Sequence, residues 1–284
     1  MQQPATGERA AAYMGGTGQQ EIPVKRLLSL PLLAPSLTEQ RRIVDLLSAL
    51  DEARSGHRLT ATCGAMATGL LHEIETEAAT WTRLAEVVRV AKAGGTPSRV
   101  KSAYWGGHVL WLKSGEVDAD HIRTTSETIT ERGLAESSAW IMPVGTVVVA
   151  MYGQGLTAGS VGYVDALMSS NQAVLGLVPD ERLVDGRFLF HWLRSRKEAM
   201  RERRSGSSQP NLNKQLVLQE PVPALDLRRQ HEVAAILDDL SVTAVAASAL
   251  DDALVRLRDA VLGDLLAGEH VIPASYDRFL DGAA

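Results

Sequence analysis

Two stretches of this chain repeat apolar residues at helical spacing, and between them lies a stretch that does not. Counting by sevens from Ile43, the a and d places hold Ile43, Leu46, Leu50, Ala53, His57, Thr60, Gly64, Ala67, Leu71 and Ile74. The places 190 positions later hold Val233, Ile236, Leu240, Thr243, Ala247, Leu250, Leu254, Leu257, Val261 and Asp264. Sustained a/d spacing is the mark of a coiled-coil seam; the second set is regular, and the first weakens at His57, Thr60 and Gly64. The pattern predicts helices over 38–78 and 227–268, each about 60 Å long at 1.5 Å per residue. Neither buries its stripe alone, so the two are expected to pack on each other. The expected interface comprises Ile43, Leu46, Leu50, Leu71 and Ile74 against Val233, Ile236, Leu240, Leu250, Leu254, Leu257 and Val261.

The shared offset extends upstream. "GGTGQQEIPVKRLLSLPLLAP", Gly15 to Pro35, and "RRSGSSQPNLNKQLVLQEPVP", Arg203 to Pro223, fall in the same ungapped register of 190 positions, in which the pairs Pro31/Pro221, Ala34/Ala224, Leu37/Leu227, Gln40/Gln230 and Leu47/Leu237 are identical. Prolines at 31, 35, 221 and 223 bar a helix there, since the ring removes a backbone donor and pushes its predecessor into extended conformations. Each helix therefore starts just after, with Thr38 and Asp226 as expected N-caps.

Between the helical stretches, over 79–226, the pattern changes to short β-rich runs, "HVLWL", "GTVVVAM", "SVGYV" and "QAVLGLV", set apart by Gly, Pro, Ser and Asn. Such runs read as strands. One amphipathic helix interrupts them, "GRFLFHWLRSRKEAMRERR", with Phe188, Trp192, Leu193 and Met200 on its apolar side. The fold class expected is an α/β (α+β) domain over 79–226 plus two long helices packed on each other, with a linker over 1–37 and a tail over 269–284.

Composition narrows this picture. A hydrophobic share of 45% in 284 residues supplies a real core. The single Cys63 excludes an internal disulfide framework, no unbroken apolar run reaches bilayer length, and "MQQPATGERAAAYMGG" lacks the basic start and apolar centre of a signal peptide. The expected compartment is the cytoplasm, with no membrane partner. The net charge of −5 argues against a surface that is basic throughout, but the distribution is uneven. Arg89 to Lys113 holds five Lys or Arg and no acid, and Arg187 to Lys214 holds eight against Glu198 and Glu202.

Catalytic chemistry finds little support. The histidines at 57, 72, 108, 121, 191, 231 and 270 include no i, i+4 pair, and Cys63 has no partner, so no metal site is expected. "MYGQGLTAGS" is glycine-rich but lacks the Lys-Ser/Thr of a phosphate loop. Several loops instead suit phosphate and base contacts, although each by itself also reads as ordinary turn chemistry. "AGGTPSR" offers the amides of Gly94 and Gly95, the loop residues Thr96, Pro97 and Ser98, and the charge of Arg99. "RRSGSSQPNLNK" presents Arg203, Arg204, Ser205, Gly206, Ser207, Ser208, Gln209, Asn211 and Asn213, whose amides and guanidinium groups match base edges. Lys113, Tyr152, Gly153 and Gln154 complete the expected DNA-binding set.

In order, "AGGTPSRVKSAYWGGHVLWLKSGEV", "MPVGTVVVAMYGQGLTAGSVGYV", "SSNQAVLGLVP", "RSGSSQPNLNKQLV" and "PVPALDLRRQHEVAAILDDL" resemble the DNA specificity subunit of type I restriction-modification systems. The resemblance covers Thr80 to Gly268 as one recognition domain with its helix, and Gly15 to Glu77 as the tail of another with its helix. It implies a non-catalytic reader of one half of a split DNA target, with two long antiparallel helices forming a coiled-coil spacer, a ruler between half-sites. It also implies methyltransferase subunits docked on those helices, a translocase and nuclease subunit, and S-adenosylmethionine, ATP and Mg held by those partners. Only a short segment precedes the first proline-rich stretch, so the expectation is a shortened form with one recognition domain, completed by a second copy or another specificity chain. Two rivals are a scaffold that no longer reads DNA and a stand-alone DNA-modifying enzyme.

Overall fold

A computed structural model describes residues 35–118, 120–152, 157–205 and 212–280. In chain order its elements are α1 (Leu37–Ala53), α2 (Gly56–Glu77), β1 (Trp81–Arg83), α3 (Leu84–Val87), β2 (Val88–Ala93), β3 (Trp105–Leu112), β4 (His121–Ile122), β5 (Glu127–Ile129) and α4 (Glu131–Ala135). They continue with β6 (Val147–Ala150), β7 (Val161–Val164), β8 (Met168–Ser170), β9 (Val174–Pro179), α5 (Gly186–Ser195), α6 (Lys197–Ser205), α7 (Lys214–Leu218), β10 (Pro221–Pro223), α8 (Leu227–Ala267) and α9 (Asp277–Leu280). The chain divides into two compact units, residues 64–241 and the remainder, so α2 and α8 each contribute to both.

In the unit over 64–241, five strands form a sheet in the order β2-β9-β6-β7-β4, and β5-β3-β8 form a second. The pairings are antiparallel except β4 with β7 and β3 with β8. β6 is buried on both faces, which is why it reads as an unbroken "VVVA" rather than as an alternation. Its Val147 and Val149 join a core with Phe188, Phe190 and Trp192 of α5, whereas Val148 and Ala150 join Leu112, Met142 and Met168 on the other side. α5 begins where the Asp185 side chain accepts from the amides of Arg187 and Phe188, both at 2.9 Å. The single amphipathic helix expected here is two, α5 and α6, separated at Arg196. Everything from Phe188 to Leu193 is buried, so the burial is all-round and not confined to one stripe.

The first turns of α8 are fastened to this unit by buried polar contacts. The Gln230 side chain accepts from the Asp185 amide at 2.8 Å and donates to the carbonyls of Leu183 and Leu225. Asp238 accepts from Arg187 at 3.0 Å and meets His191 Nε2 at 2.7 Å, while Asp120, paired with Arg194, accepts from the Ser241 hydroxyl at 2.6 Å. Burial pushes the His191 pKa below the ordinary imidazole value in spite of Asp238. A depressed pKa means that the folded state favours the neutral ring. Its contribution to stability is therefore present above about pH 6.5 and lost as pH falls through the folded value. Urea unfolding between pH 7.5 and 5 is expected to show a steeper loss of stability for the wild type than for H191Q; equal slopes would remove His191 from the account.

In the other unit the helices run antiparallel, since partner numbers fall as the chain number rises. Arg258 Nε lies 3.2 Å from Asp51, the Gly56 amide donates to Asp251 at 3.1 Å, and the Thr60 hydroxyl donates to the Ala244 carbonyl at 3.3 Å. Arg42 binds Asp277 through two 2.5 Å contacts, and the Tyr276 hydroxyl donates to Asp45 at 2.8 Å, so the tail returns onto α1.

Three expectations about the helices change. The single helix over 38–78 is α1 and α2, interrupted at Arg54 and Ser55. At Gly56 a Cβ would stand 2.2 Å from the Ala247 carbonyl oxygen, an approach only glycine permits. The N-cap of α1 is Ser36, not Thr38: its side chain accepts from the Glu39 amide while Glu39 returns to the Ser36 amide, a reciprocal capping box. The buried stripe of α8 follows Val233, Leu237, Ala247 and Leu265 rather than the a/d count, so Ile236, Leu250 and Leu257 are exposed. Both registers share Val233, Leu240, Ala247, Leu254 and Val261, one place in every heptad. The observed register places Asp251 and Arg258 inward, where Gly56 and Asp51 receive them. Of the remaining expected interface residues, Ile43, Leu46, Leu50, Leu71, Leu240, Leu254 and Val261 are half-buried, and Ile74 and Val233 fully so.

An 18-residue window of α8 averages 1.7 in mean hydropathy and is long and apolar enough to cross a bilayer. The criterion of an unbroken apolar run overlooks it, because acidic residues such as Asp238 and Asp239 interrupt the run. Those charges have partners inside the protein at Asp238, which makes length and composition weak grounds for a membrane span.

Candidate nucleic-acid interface

β2 runs antiparallel to β9 and delivers the chain into the loop that starts at Gly94. Gly94 and Gly95 are buried, and their amides donate to the Val174 and Ser170 carbonyls at 3.0 and 2.8 Å. These amides, expected to face phosphate, are thus engaged in the fold. The pair is glycine for a packing reason: a Cβ on Gly94 would lie 2.2 Å from the Ser170 carbonyl oxygen, and one on Gly95 would lie 2.4 Å from the Ala139 amide nitrogen.

Beyond them Pro97 is buried while Thr96, Ser98 and Arg99 are exposed. The Thr96 hydroxyl donates to the Gln172 side chain. Two indoles pin the loop from beneath, Trp111 Nε1 to the Gly95 carbonyl at 2.9 Å and Trp105 Nε1 to the Ser98 carbonyl at 3.2 Å. The two rings meet edge to face, 4.9 Å apart at 89°. The Arg99 guanidinium lies 3.6 Å from the centre of the Trp105 ring and 4.9 Å from that of Trp111, within cation–π range of both.

Glu127 on β5 joins the two cations of this face. One carboxylate oxygen accepts from Arg99, and the other lies 3.1 Å from Lys113 Nζ. The hydrogen bond from Arg99, together with that from Lys113, holds the Glu127 carboxyl below the usual carboxylate range. At neutral pH Arg99 and Lys113 share the Glu127 carboxylate, and Glu116, which accepts from the Lys113 amide at 2.9 Å, is a second anion beside Lys113.

The second expected loop is anchored at both visible ends. Arg203, at the end of α6, donates to Glu220 at 2.6 Å, and Glu220 is fully buried with Arg196 on its other oxygen at 3.7 Å. Burial raises the Glu220 carboxyl above its ordinary value although both arginines pull it down. Asn213 accepts from the Leu216 amide at 3.0 Å and so caps α7 rather than offering its carbonyl outward. Tyr152 is exposed. Gly153, Gln154, Gly206, Ser207, Ser208, Gln209 and Asn211 lie outside the described residues, as do the side chains of Arg204 and Ser205.

Reading the sequence alone missed Trp105, Trp111, Glu127 and Glu220. The tryptophans carried no period-two signal: Trp105 lies outside the run "HVLWL", and the β3–β5 register shifts between Trp105 and Val109, which breaks the alternation. The carboxylates carried none, because Arg99 and Glu127 are 28 residues apart and meet only through the register of β3 with β5, in which Trp111 faces Glu127.

Against known families, residues 79–247 match the model of the type I restriction modification DNA specificity domain, more than half of the chain. Among curated proteins, the chain is similar to the type I restriction enzyme MjaIX specificity subunit of Methanocaldococcus jannaschii, 25% identical over 158 residues. That match covers 52% of this chain and 35% of the archaeal subunit, so the chain spans about a third of that relative's length. Among solved structures, it is similar to the type I restriction-modification S subunit from M. genitalium, with a TM-score of 0.61, 17% identity, and coverage of 91% of this chain and 69% of that one. The HsdS subunit from Thermoanaerobacter tengcongensis aligns with a TM-score of 0.54 and 20% identity over 92% of this chain and 66% of that one. At these identities the two structures speak to the fold: a mixed α/β domain with a long C-terminal helix.

Proposed function

The chain belongs to the type I restriction modification DNA specificity domain family, and from that premise we propose that its domain over 79–226 reads one half of a bipartite DNA target. The observation that carries this reading is the exposed edge at Arg99 and Lys113. There a loop held rigid by two indole hydrogen bonds presents a cation stacked on an aromatic ring. Rigid presentation suits base readout, because little freedom is lost when the contact forms. Thr96 and Ser98 on the same loop, and the exposed Tyr152, add hydroxyls suited to phosphate oxygens. Gly94 and Gly95, buried, and Arg203 and Asn213, bound to Glu220 and to the Leu216 amide, serve it as supports of the two loops. The segment over 204–211 contributes the remaining contacts.

In this reading α1 and α2 pair with α8 as an antiparallel coiled-coil spacer that fixes the distance between half-sites, and the modification subunits dock on it. The antiparallel contacts from Asp51–Arg258 to Thr60–Ala244 support that pairing. The chain itself catalyses nothing; S-adenosylmethionine, ATP and Mg belong to the modification and restriction subunits, and the complex works on DNA in the cytoplasm. The second half-site is read by another copy of this chain or by a different specificity chain. Binding falls steeply with salt, as phosphate contacts require.

Co-expression with a type I modification subunit from the same genome, in a host without adenine methylation, tests the reading. Sequencing that detects methyladenine is expected to return a split motif, palindromic if two copies of this chain act together and asymmetric if a second chain supplies the other half. Soluble, associated subunits that leave the genome unmethylated would refute it.

A further inference from the structure

The Arg99 side chain has three features that together suit one base. Its Nη1 is bound to Glu127, its guanidinium carbon lies 3.6 Å from the Trp105 ring centre, and its Nε and second terminal nitrogen make no hydrogen bond among the described residues. The guanidinium is thus held by a carboxylate on one side and against an indole ring. What remains open is the edge carrying Nε–H and one Nη–H, two parallel donors in a fixed fork. Guanine presents two acceptors, O6 and N7, side by side in the major groove, and no other base does so. A phosphate would accept the same fork, but it profits from charge more than from plane. Here Glu127 takes up part of the charge of Arg99 and Lys113 while leaving the geometry intact.

We propose that Arg99 is a specificity-determining residue that reads a guanine through its Nε and Nη edge, with Glu127 and Trp105 as the residues that position it. The inference rests on the reading of 79–226 as a DNA-binding domain and deepens it by naming the base. Arg99 lies on a loop pinned at the Gly95 and Ser98 carbonyls, so the fork keeps one orientation from one encounter to the next. Glu127 accepts no base contact itself; it acts through Arg99.

The test is selection of a randomised duplex library by the full chain, followed by sequencing of the bound fraction, for the wild type and for R99A, R99K and E127Q. The wild type is expected to enrich a motif containing a guanine. R99A is expected to lose preference at that one position, with affinity for the selected site reduced about 5- to 150-fold while the other positions hold. R99K, which keeps the charge but not the fork, loses the same preference, and E127Q weakens it at that position alone. Placing 7-deazaguanine there removes N7 and is expected to lower wild-type binding without lowering R99A further. A loss shared by all sequences, with the salt slope reduced by about one, would make Arg99 a phosphate contact and overturn the proposal. Unchanged selection by R99A would overturn it as well. A wild-type selection that enriches no motif would instead refute the DNA-reading function, and this inference with it.

Discussion

Replacing Gly94 with alanine is expected to destabilise the unit over 64–241 by about 3 kcal/mol or more, above the usual 1 to 3 kcal/mol of overpacking. The added Cβ would fall 2.2 Å from the Ser170 carbonyl oxygen and 2.4 Å from that of Asn171. Both are backbone atoms, so no flexible side chain can swing away. Relief requires β2 and the segment before β9 to separate, which breaks the Gly94 amide bond to Val174 and the Gly95 amide bond to Ser170. At roughly 2 to 4 °C per kcal/mol for a unit of this size, Tm should fall by about 6 to 12 °C. DNA binding should fall with it, since the displaced loop carries Arg99. T96A, on the same loop but exposed, is the control and should leave Tm within about 1 °C, as surface substitutions do. A G94A protein that melts with the wild type would mean that the close approach is absent in solution.

Removing the Glu220 carboxylate should cost nearly as much. Glu220 is fully buried between Arg203 and Arg196, whose side chains are 38% and 25% exposed. Breaking a wholly buried ion pair costs about 3 to 5 kcal/mol; with both arginines reaching solvent, about 2 to 3 kcal/mol is expected for E220A, read by urea denaturation. E220Q should lose less. Burial raises the Glu220 carboxyl above the ordinary range, which means that the ionised form is held at some cost at neutral pH and the amide avoids that cost. The sign extends to pH. A raised pKa contributes stability below about pH 4.5, the unfolded value, that is lost as pH rises through the folded one, and E220Q should remove this dependence. Equal stability of E220A and the wild type would show that Arg203 and Arg196 are satisfied by solvent, and Arg203 would return as a candidate for direct DNA contact.

These two sites show where reading along the chain succeeds and where it stops. The double glycine at 94–95 was legible as a place where the backbone comes close to something, but that something was assigned to phosphate when it is the 170–174 segment. Chain order supplied the β-rich middle, the flanking helices and the basic clusters, because each depends on residues near one another in sequence. The α8 stripe was legible at Val233, Leu240, Ala247, Leu254 and Val261 and misassigned at Ile236, Leu250 and Leu257. Hydrophobicity ranks leucine above Asp251 and Arg258 unless their partners on Gly56 and Asp51 are known.

By itself, then, the sequence determined the family and the α/β character of the middle of the chain. Local propensity, periodicity and an ordered set of motifs are enough for those. Only the tertiary structure decided which polar groups in the candidate loops remain available. Arg203 and Asn213 are engaged by Glu220 and by the Leu216 amide, and the Gly94 and Gly95 amides by the β9 side of the sheet. Arg99 is left with one open edge, by Glu127 across 28 residues and by Trp105 beneath it. The reason is physical: a side chain's hydrogen-bonding capacity is local, but what satisfies it is set by strand register and packing, which bring together residues that the chain keeps apart.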